Sequence, residues 1–250
     1  MALISFGCGG GSEESTSDGG SKPSQTKIRV DISGTVQLHP IEKAWRESAG
    51  GPGPAPSLAG TTVAIEDALL ALANRPPLAS TTLDESGAFS FTQVDVTNVT
   101  LAVIGSVTDE TGGYMTSGYG LYTGKPTEAL MQKPIYVLTK AFVTHLQTSL
   151  GSTEPDLLTG DFAFGAALDA DHKGIAGATF DTGDGVRYLS DDLSKANGTA
   201  TGATGAFLFF PNGTTAEHTV TKAGYTFPKK KVGSRPGAVL SSIFEGTPSP

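Results

Sequence analysis

The residue types that most often carry out chemistry in proteins are few in this sequence and lie far apart. The chain of 250 residues has one cysteine, Cys8, and four histidines that share no local motif, His39, His145, His172 and His218. It contains no Gly-x-Ser-x-Gly nucleophile elbow, no phosphate-binding loop, no dinucleotide fingerprint and no HExxH zinc motif. The sequence therefore nominates no catalytic residue and no cofactor, and it favours a protein that is not an enzyme.

Two groups of aspartates raise the question of a calcium site. Asp169 and Asp171 begin a turn that resembles the start of an EF-hand loop, but the next ligand position holds Lys173, which cannot bind a cation. Asp181 and Asp184 follow and could join a site borne on loops. Aspartate and glycine are also the residues that β-turns prefer without any metal. We expect turns and no metal, and these four aspartates are the weak calcium candidates.

Aromatic residues on a glycine-rich background form the most suggestive binding feature. Tyr114, Tyr119 and Tyr122 lie in the segment GGYMTSGYGLYTGKP, and the single tryptophan is Trp45. Such side chains offer a large rigid contact area with a polar tip, which suits sugars and protein surfaces. The alternative is a glycine-rich hairpin whose tyrosines cap the edge of a sandwich. Exposure of these four aromatic residues separates the two interpretations.

The charge balance limits the possible partners. The formal net charge is −8 and the isoelectric point is about 4.9. An acidic protein is repelled by phosphate backbones, so nucleic acid is excluded as the expected partner. The segment KKKVGSR at residues 229–235 is the local exception. We interpret it as a solvated, lysine-rich edge that resists strand pairing rather than as a specific anion site.

Short runs in which apolar and polar residues alternate indicate β-strands with one buried face. In residues 27–38 the apolar residues fall at every second position and are interrupted only at Gly34. Strands of the same kind are predicted in residues 61–66, 94–107, 162–180 and 237–246. These strands would position the candidate residues named above.

One six-residue sequence occurs twice, as SGAFSF at residues 86–91 and as TGAFLF at residues 204–209. We expect Gly87 and Gly205 to occupy tight turns with positive φ, a conformation that glycine adopts without a steric penalty. The phenylalanines that follow would fill a sandwich core from one face of a strand; they are Phe89, Phe91, Phe207 and Phe209. The repeat falls at matching places in two similarly patterned halves, which indicates an internal duplication.

The second copy resembles the carboxypeptidase regulatory-like, or transthyretin-like, domains. The residues that match the pattern of that family are Gly177, Ala178, Thr201, Gly205, Phe207, Phe209, Lys222, Gly224 and Tyr225. The first copy matches at Thr82, Gly87, Phe89 and Phe91 but lacks the late Lys-x-Gly-Tyr. The resemblance covers residues 160–246 well and 27–122 in part. It implies β-sandwiches of seven or eight strands, and because these motifs are structural it implies little about function.

The first residues, MALISFGCGGG, resemble the end of a bacterial lipoprotein signal. In such signals the cysteine receives lipid and becomes the mature N-terminus. The apolar stretch before Cys8 is shorter than a working signal of roughly 15–30 residues, and it has no basic start. The alternative is an ordinary N-terminus with an incidental thiol. The resemblance implies lipidation of Cys8, with the Gly/Ser/acidic residues after it as a flexible tether.

An amphipathic helix is predicted between the two halves. Leu138, Phe142, Leu146 and Leu150 recur every four residues, and Gly151 follows as a C-cap. We predict the helix over residues 139–150.

These patterns predict an all-β protein of two tandem Ig-like or transthyretin-like β-sandwiches joined by a short amphipathic helix. The predicted divisions are a lipobox-like N-terminus and tether at 1–26, a first sandwich at 27–135 with a Pro/Gly insertion at 46–60, a linker helix at 136–158, and a second sandwich at 159–250.

The functional expectation is a non-enzymatic, lipid-anchored protein of the bacterial cell envelope that presents two sandwich modules for adhesion or scaffolding. It would be an outer-membrane lipoprotein, periplasmic or surface-exposed, with an envelope protein or a glycan as its partner. Three alternatives remain open at this point. One is a carbohydrate-binding accessory protein, a second is a structural subunit of an extracellular fibre or complex, and a third is a hydrolase whose site no sequence motif reveals.

Overall fold

The computed structural model describes residues 26–49, 51–73, 75–151, 155–181, 185–211 and 216–249. The strands of the amino-terminal half are β1 (Arg29–Leu38), β2 (Thr62–Asp67), β3 (Ala79–Thr82), β4 (Ala88–Asp95), β5 (Ala102–Thr108), β6 (Ser117–Thr123) and β7 (Leu130–Val137). The strands of the carboxy-terminal half are β8 (Phe162–Leu168), β9 (Thr179–Phe180), β10 (Val186–Tyr188), β11 (Ala206–Phe209), β12 (Ala216–His218), β13 (Val220–Thr221), β14 (Tyr225–Thr226), β15 (Lys230–Val232), β16 (Val239–Glu245) and β17 (Thr247–Pro248). The helices are α1 (Pro40–Glu47), α2 (Ala68–Leu72) and α3 (Lys140–Leu150), and a 3-10 turn spans Leu157–Thr159.

The amino-terminal half is a β-sandwich. Its smaller sheet has the order β4-β1-β7, with β4 antiparallel and β7 parallel to β1. This sheet packs against β2, β5 and β6 across a core in which Ile32, Ile65, Val103 and Ile135 have no exposed surface. The predicted alternation in β1 is confirmed, since Ile32 and Val36 are buried while the polar residues beside them are partly or fully exposed.

The larger sheet runs through both halves of the chain. Within the described residues its order is β10-β11-β8-β16-β6-β5-β2-β3. Strand β16 is parallel to both of its neighbours, and it pairs with β8 over its whole length and with β6 from Val239 to Ser241. The two halves are therefore joined by backbone hydrogen bonds as well as by helix α3.

The carboxy-terminal part of the large sheet is covered on both faces, so every residue of β8 is buried. On one face Phe162 and Phe164 pack against α3, as the alternation in the sequence predicts. On the other face Ala163 and Ala167 pack beneath three two-stranded ribbons. The ribbons are β12 with β15, β13 with β9, and β14 with β17. This second covered face explains why β8 reads as a nearly continuous apolar run.

The repeated hexapeptide occupies the same structural position in both halves. Gly87 and Gly205 have φ values of +67° and +73°. Each begins a strand antiparallel to the first strand of its half, with Phe89 opposite Gly34 in one and Phe207 opposite Gly165 in the other. A Cβ added at Gly34 or Gly165 would lie 2.8 Å or 2.3 Å from that phenylalanine ring, so each glycine makes room for it. Phe89, Phe207 and Phe209 are buried and Phe91 is half-buried.

Of the three helices α1, α2 and α3, the sequence predicted α3 alone. Helix α3 begins at Lys140, with the Thr139 hydroxyl accepting from the Phe142 amide. It ends at Leu150 and is capped by Gly151, whose φ is +83°. Helix α1 lies just before and within the segment interpreted as an insertion, and α2 is a turn and a half after β2. Helix α2 is too short to show a helical period, whereas α1 has one that was missed, since Ile41, Ala44 and Trp45 fall at i, i+3 and i+4.

Candidate functional site

Tyr114 does not lie on the surface, so its assignment as a ligand-contact residue is wrong. It is 2% exposed, its hydroxyl donates to the Pro56 carbonyl (2.6 Å), and its amide donates to Asp109 Oδ2 (2.8 Å). Burial raises the pKa of its phenol to about 12. The glycines around it allow the chain to fold the ring inward, and its role is to hold residues 51–56 against the sandwich.

A buried ion pair fixes helix α1 beside this segment. Arg46 Nε donates to Glu42 Oε1 (2.8 Å), and its guanidinium also donates to the Thr139 hydroxyl (2.7 Å) and to the Gly53 carbonyl (3.1 Å). Glu42 in turn accepts from the Thr139 amide (2.9 Å) and hydroxyl (2.6 Å). Because every strong donor and acceptor has a partner, this cluster is a structural clamp rather than a reactive site.

Trp45 is half-buried and lines a cleft between α1 and two loops of the carboxy-terminal half. Its ring stacks on His145, with centroids 4.9 Å apart and planes at 28°, and it lies 5.2 Å from the ring of Phe142. The cleft has a volume of about 710 Å³, and its rim includes His172 and Asp191. A tryptophan beside polar groups in a concave surface is chemistry suited to a sugar ring.

Two of the aspartates considered for calcium, Asp169 and Asp181, are engaged in hydrogen bonds within the protein. Asp169 Oδ1 accepts from the amides of Asp171 and Lys173 (both 2.9 Å). Asp181 accepts from the Thr219 amide and pairs with His218 Nδ1 (both 2.9 Å). Asp184 lies outside the described residues. In the part of the chain that the structure describes, no group of three or more His, Cys, Asp or Glu residues could hold a metal ion.

The Asp181–His218 pair is the nearest approach to a catalytic constellation. The imidazole packs against the rings of Phe180 and Phe209, at 4.9 Å and 5.2 Å between centroids. Among the described residues its hydrogen-bond partner is the Asp181 carboxylate, and no hydroxyl or thiol bonds to it. A nucleophile activated by this histidine is therefore not formed by the described residues.

A second concave surface lies where the two halves share the large sheet. The floor of this surface is the outer face of β5, β6 and β16. Helix α2 forms one wall, and the basic segment 229–235 forms the opposite wall. We call it the basic groove, and its volume is about 390 Å³. The groove exists because the ribbons cover only the carboxy-terminal part of this face of the sheet.

Two of the predicted tyrosines line the basic groove, although only one is exposed. Tyr122 is 42% exposed and points away from the sandwich core. Tyr119 is half-buried, packs edge-on against Tyr136 at 5.1 Å, and has its pKa raised by burial. Tyr122 thus remains a ligand-contact candidate, whereas Tyr119 mainly supports the two cores that it touches.

The basic wall of the groove is only partly neutralised. Arg235 forms a salt bridge to Glu66 (2.6 Å), and the ammonium of Lys229 lies 3.6 Å from Glu217 at the surface. Lys230 and Lys231 have no salt bridge within the described residues, and burial lowers the pKa of Lys230. Sequence reasoning noted this basic segment but did not connect it with α2 or β6, because their proximity is created by long-range strand pairing.

Cys8, the predicted lipidation site, lies outside the described residues. Among the described residues, no helix is both long and apolar enough to cross a membrane.

No protein family matches the chain, and no curated protein matches it. Among solved structures, the Bacillus anthracis TIE protein is 13% identical with a TM-score of 0.26, and the match covers 88% of this chain but 34% of that one. The shaft pilin SpaA from Lactobacillus rhamnosus GG is 18% identical with a TM-score of 0.25, covering 90% of this chain and 99% of that one. A streptococcal ancillary pilin is 11% identical with a TM-score of 0.22, covering 88% and 70%. Similarity this low establishes neither a family nor a function for this chain.

Proposed function

We propose that the chain is a non-enzymatic protein of the bacterial cell envelope that presents its β-sandwich modules for adhesion or scaffolding. The observation that carries this proposal is the basic groove, which sits on strands β5, β6 and β16 at the junction of the two halves. A partner bound there would rest on the strands of the large sheet rather than on a loop. The envelope protein or glycan expected as partner would be held by such a surface.

We also propose that the two halves are copies of one carboxypeptidase regulatory-like module, spanning residues 27–135 and 159–250. The three-strand arrangement β4-β1-β7 is repeated as β11-β8-β16, with the same antiparallel and parallel senses. The two hexapeptides start equivalent strands, and each faces a glycine on the neighbouring strand. Chance similarity of one turn would not reproduce the pairing sense of three strands.

The lipid anchor on Cys8 is the part of the proposal that fixes location. Intact-mass analysis of the protein from its native host, beside a Cys8→Ala variant, tests it. We expect the mass of an acylated glycerol on Cys8, lost in the variant together with fractionation into the outer membrane. An unmodified protein that keeps residues 1–7 and stays out of the membrane fraction would remove the anchor, and a soluble binding module would then be the better description.

A second candidate function, binding of a glycan, is favoured by Trp45 in its cleft. Because Trp45 is the single tryptophan of the chain, its fluorescence reports on this cleft alone. A glycan that occupies the cleft should shift or quench that emission in a saturable way, and Asp191→Ala should weaken the effect. A panel of envelope oligosaccharides that leaves the emission unchanged would count against this function.

A further inference from the structure

We infer that the basic groove binds an elongated amphiphile, an alkyl chain with an anionic head group such as a long-chain carboxylate. This inference rests on the proposed function and deepens it, because an envelope protein or glycan that carries an acyl chain would present this ligand chemistry to the same groove. It rests on three features of the described residues: an apolar floor, an apolar wall that is open to solvent, and an opposite wall whose positive charge is only partly neutralised.

The floor of the groove is apolar, and two glycines keep its middle free of side chains. The side chains of Ile104 and Leu240 belong to it, and between them β6 contributes Gly118 and Gly120. A Cβ built on Gly120 meets no atom within 4 Å, so the space above this strand is open. The volume of about 390 Å³ lies within the roughly 300–1,000 Å³ typical of small-molecule sites.

The floor offers apolar surface to an alkyl chain. Such a chain has no backbone groups to satisfy and gains from the removal of apolar surface from water. Strands β6 and β16 pair with each other only at Ser117–Tyr119 and Val239–Ser241, so their facing edges beyond these residues carry no ladder hydrogen bonds to each other. A peptide that added a strand there would be the competing occupant, and equal affinity for the acid and the ester described below would favour it.

The α2 wall leaves apolar surface uncovered. Leu72 lines the groove with 45% of its surface exposed, and Leu69 and Leu70 beside it are 48% and 38% exposed. Tyr122 adds a further exposed ring at the same groove. Leu69 and Leu70 do not line the groove, so its exposed apolar surface is that of Leu72 and Tyr122. Exposed apolar side chains gathered at a concave surface are typical of binding sites.

The opposite wall determines the sign of the head group. Lys229 and Lys231 are exposed there, and Lys230 between them is half-buried. Three consecutive lysines, two of them without a salt bridge to any described residue, are a local reversal of charge in a protein of net charge −8, and the Glu245 carboxylate offsets only part of it at Lys230. An anionic head group would gain charge-assisted hydrogen bonds from these ammonium groups, and it would relieve the cost of the partly desolvated Lys230.

The test uses the full chain and a fluorescent probe, 11-(dansylamino)undecanoic acid, kept below the concentration at which it forms micelles. Its methyl ester is the uncharged comparison. Gly120→Phe fills the open floor, and the double variant Lys229→Ala/Lys231→Ala removes two cations. The matched controls are Ser90→Phe, on an exposed strand position of the smaller sheet, and Lys43→Ala/Lys140→Ala, at two exposed lysines elsewhere.

We expect saturable binding of the acid with a dissociation constant raised about tenfold or more by either groove variant and unchanged in both controls. The ester should bind about tenfold more weakly than the acid to the wild-type chain and equally to the wild-type chain and the lysine variant. Absence of binding, equal affinity for acid and ester, or binding that neither groove variant weakens would each overturn the inference. These outcomes do not depend on Cys8, so they remain interpretable whether or not the envelope location holds.

Discussion

At the scale of single residues, His39 is the most unusual titratable group among the described residues. It has no exposed surface, it caps α1 by accepting from the Ile41 amide at Nδ1 (3.3 Å), and its Nε2 has no partner. Its ring lies edge-on to Phe164 with 4.7 Å between centroids. Burial, with a smaller contribution from the nearby His172, lowers its pKa from 6.5 to about 3.

This lowered pKa predicts that the protein becomes less stable as the pH falls below neutrality. Between pH 6.5 and 3 the unfolded chain binds a proton at His39 that the folded chain does not. The free energy of unfolding therefore rises with pH in this window and falls on acidification. The loss should approach about 1.4 kcal/mol per pH unit below pH 6, and it should amount to about 2 kcal/mol from pH 7 to pH 5.

Urea unfolding at pH 7 and pH 5 measures this loss, with His39→Asn as the comparison because asparagine keeps a capping acceptor. The aspartates with lowered pKa values, such as Asp84 and Asp109, lose their stabilisation near and below pH 4, outside this range. The variant should show a pH dependence smaller by about 2 kcal/mol. Equal pH dependence in the two proteins would show that His39 is not buried in its neutral form.

At the scale of elements, the sequence predicts those whose pattern is local. The period of two in β1 and the spacing of four in α3 survive in the structure, because each reflects one buried face. The two glycine-phenylalanine turns were also predictable, since positive φ and a phenylalanine packed over glycine are properties of a few adjacent residues. Helix α2 was missed because five residues give too little periodicity. Helix α1 could have been predicted, because Ile41, Ala44 and Trp45 share one face and Pro40 stands at its first position.

The candidate site could be predicted only in its parts. The sequence drew attention to Tyr122, Trp45 and the lysines of the basic wall, but it gave the same weight to Tyr114, which is buried. What brings α2, β6 and the lysines together is the pairing of β16 with β6, a contact between residues more than 100 positions apart in the chain. Such a pairing leaves no mark in local hydrophobic periodicity, because either edge of β6 would give the same pattern.

At the scale of the whole molecule, the shared sheet predicts that the two halves unfold together. Strand β16 is hydrogen-bonded to both halves, and the core around α3 combines Tyr136 and Leu138 with Phe162 and Phe164. Exposing the core of either half would break this pairing and uncover the shared core. Chains of this length with two modules often unfold in separate steps, so a single cooperative transition is a specific expectation here.

Native-state hydrogen exchange of β5 and β11 distinguishes these possibilities. Ile65→Ala removes a fully buried side chain from the amino-terminal core and should cost about 2–5 kcal/mol. If the halves are coupled, this variant should accelerate exchange in β5 and in β11 by the same free energy, while Thr81→Ala at an exposed edge position should change neither. Acceleration confined to β5 would mean that the β16–β6 pairing is too weak to transmit the loss, and that the halves behave as independent modules in spite of their common sheet.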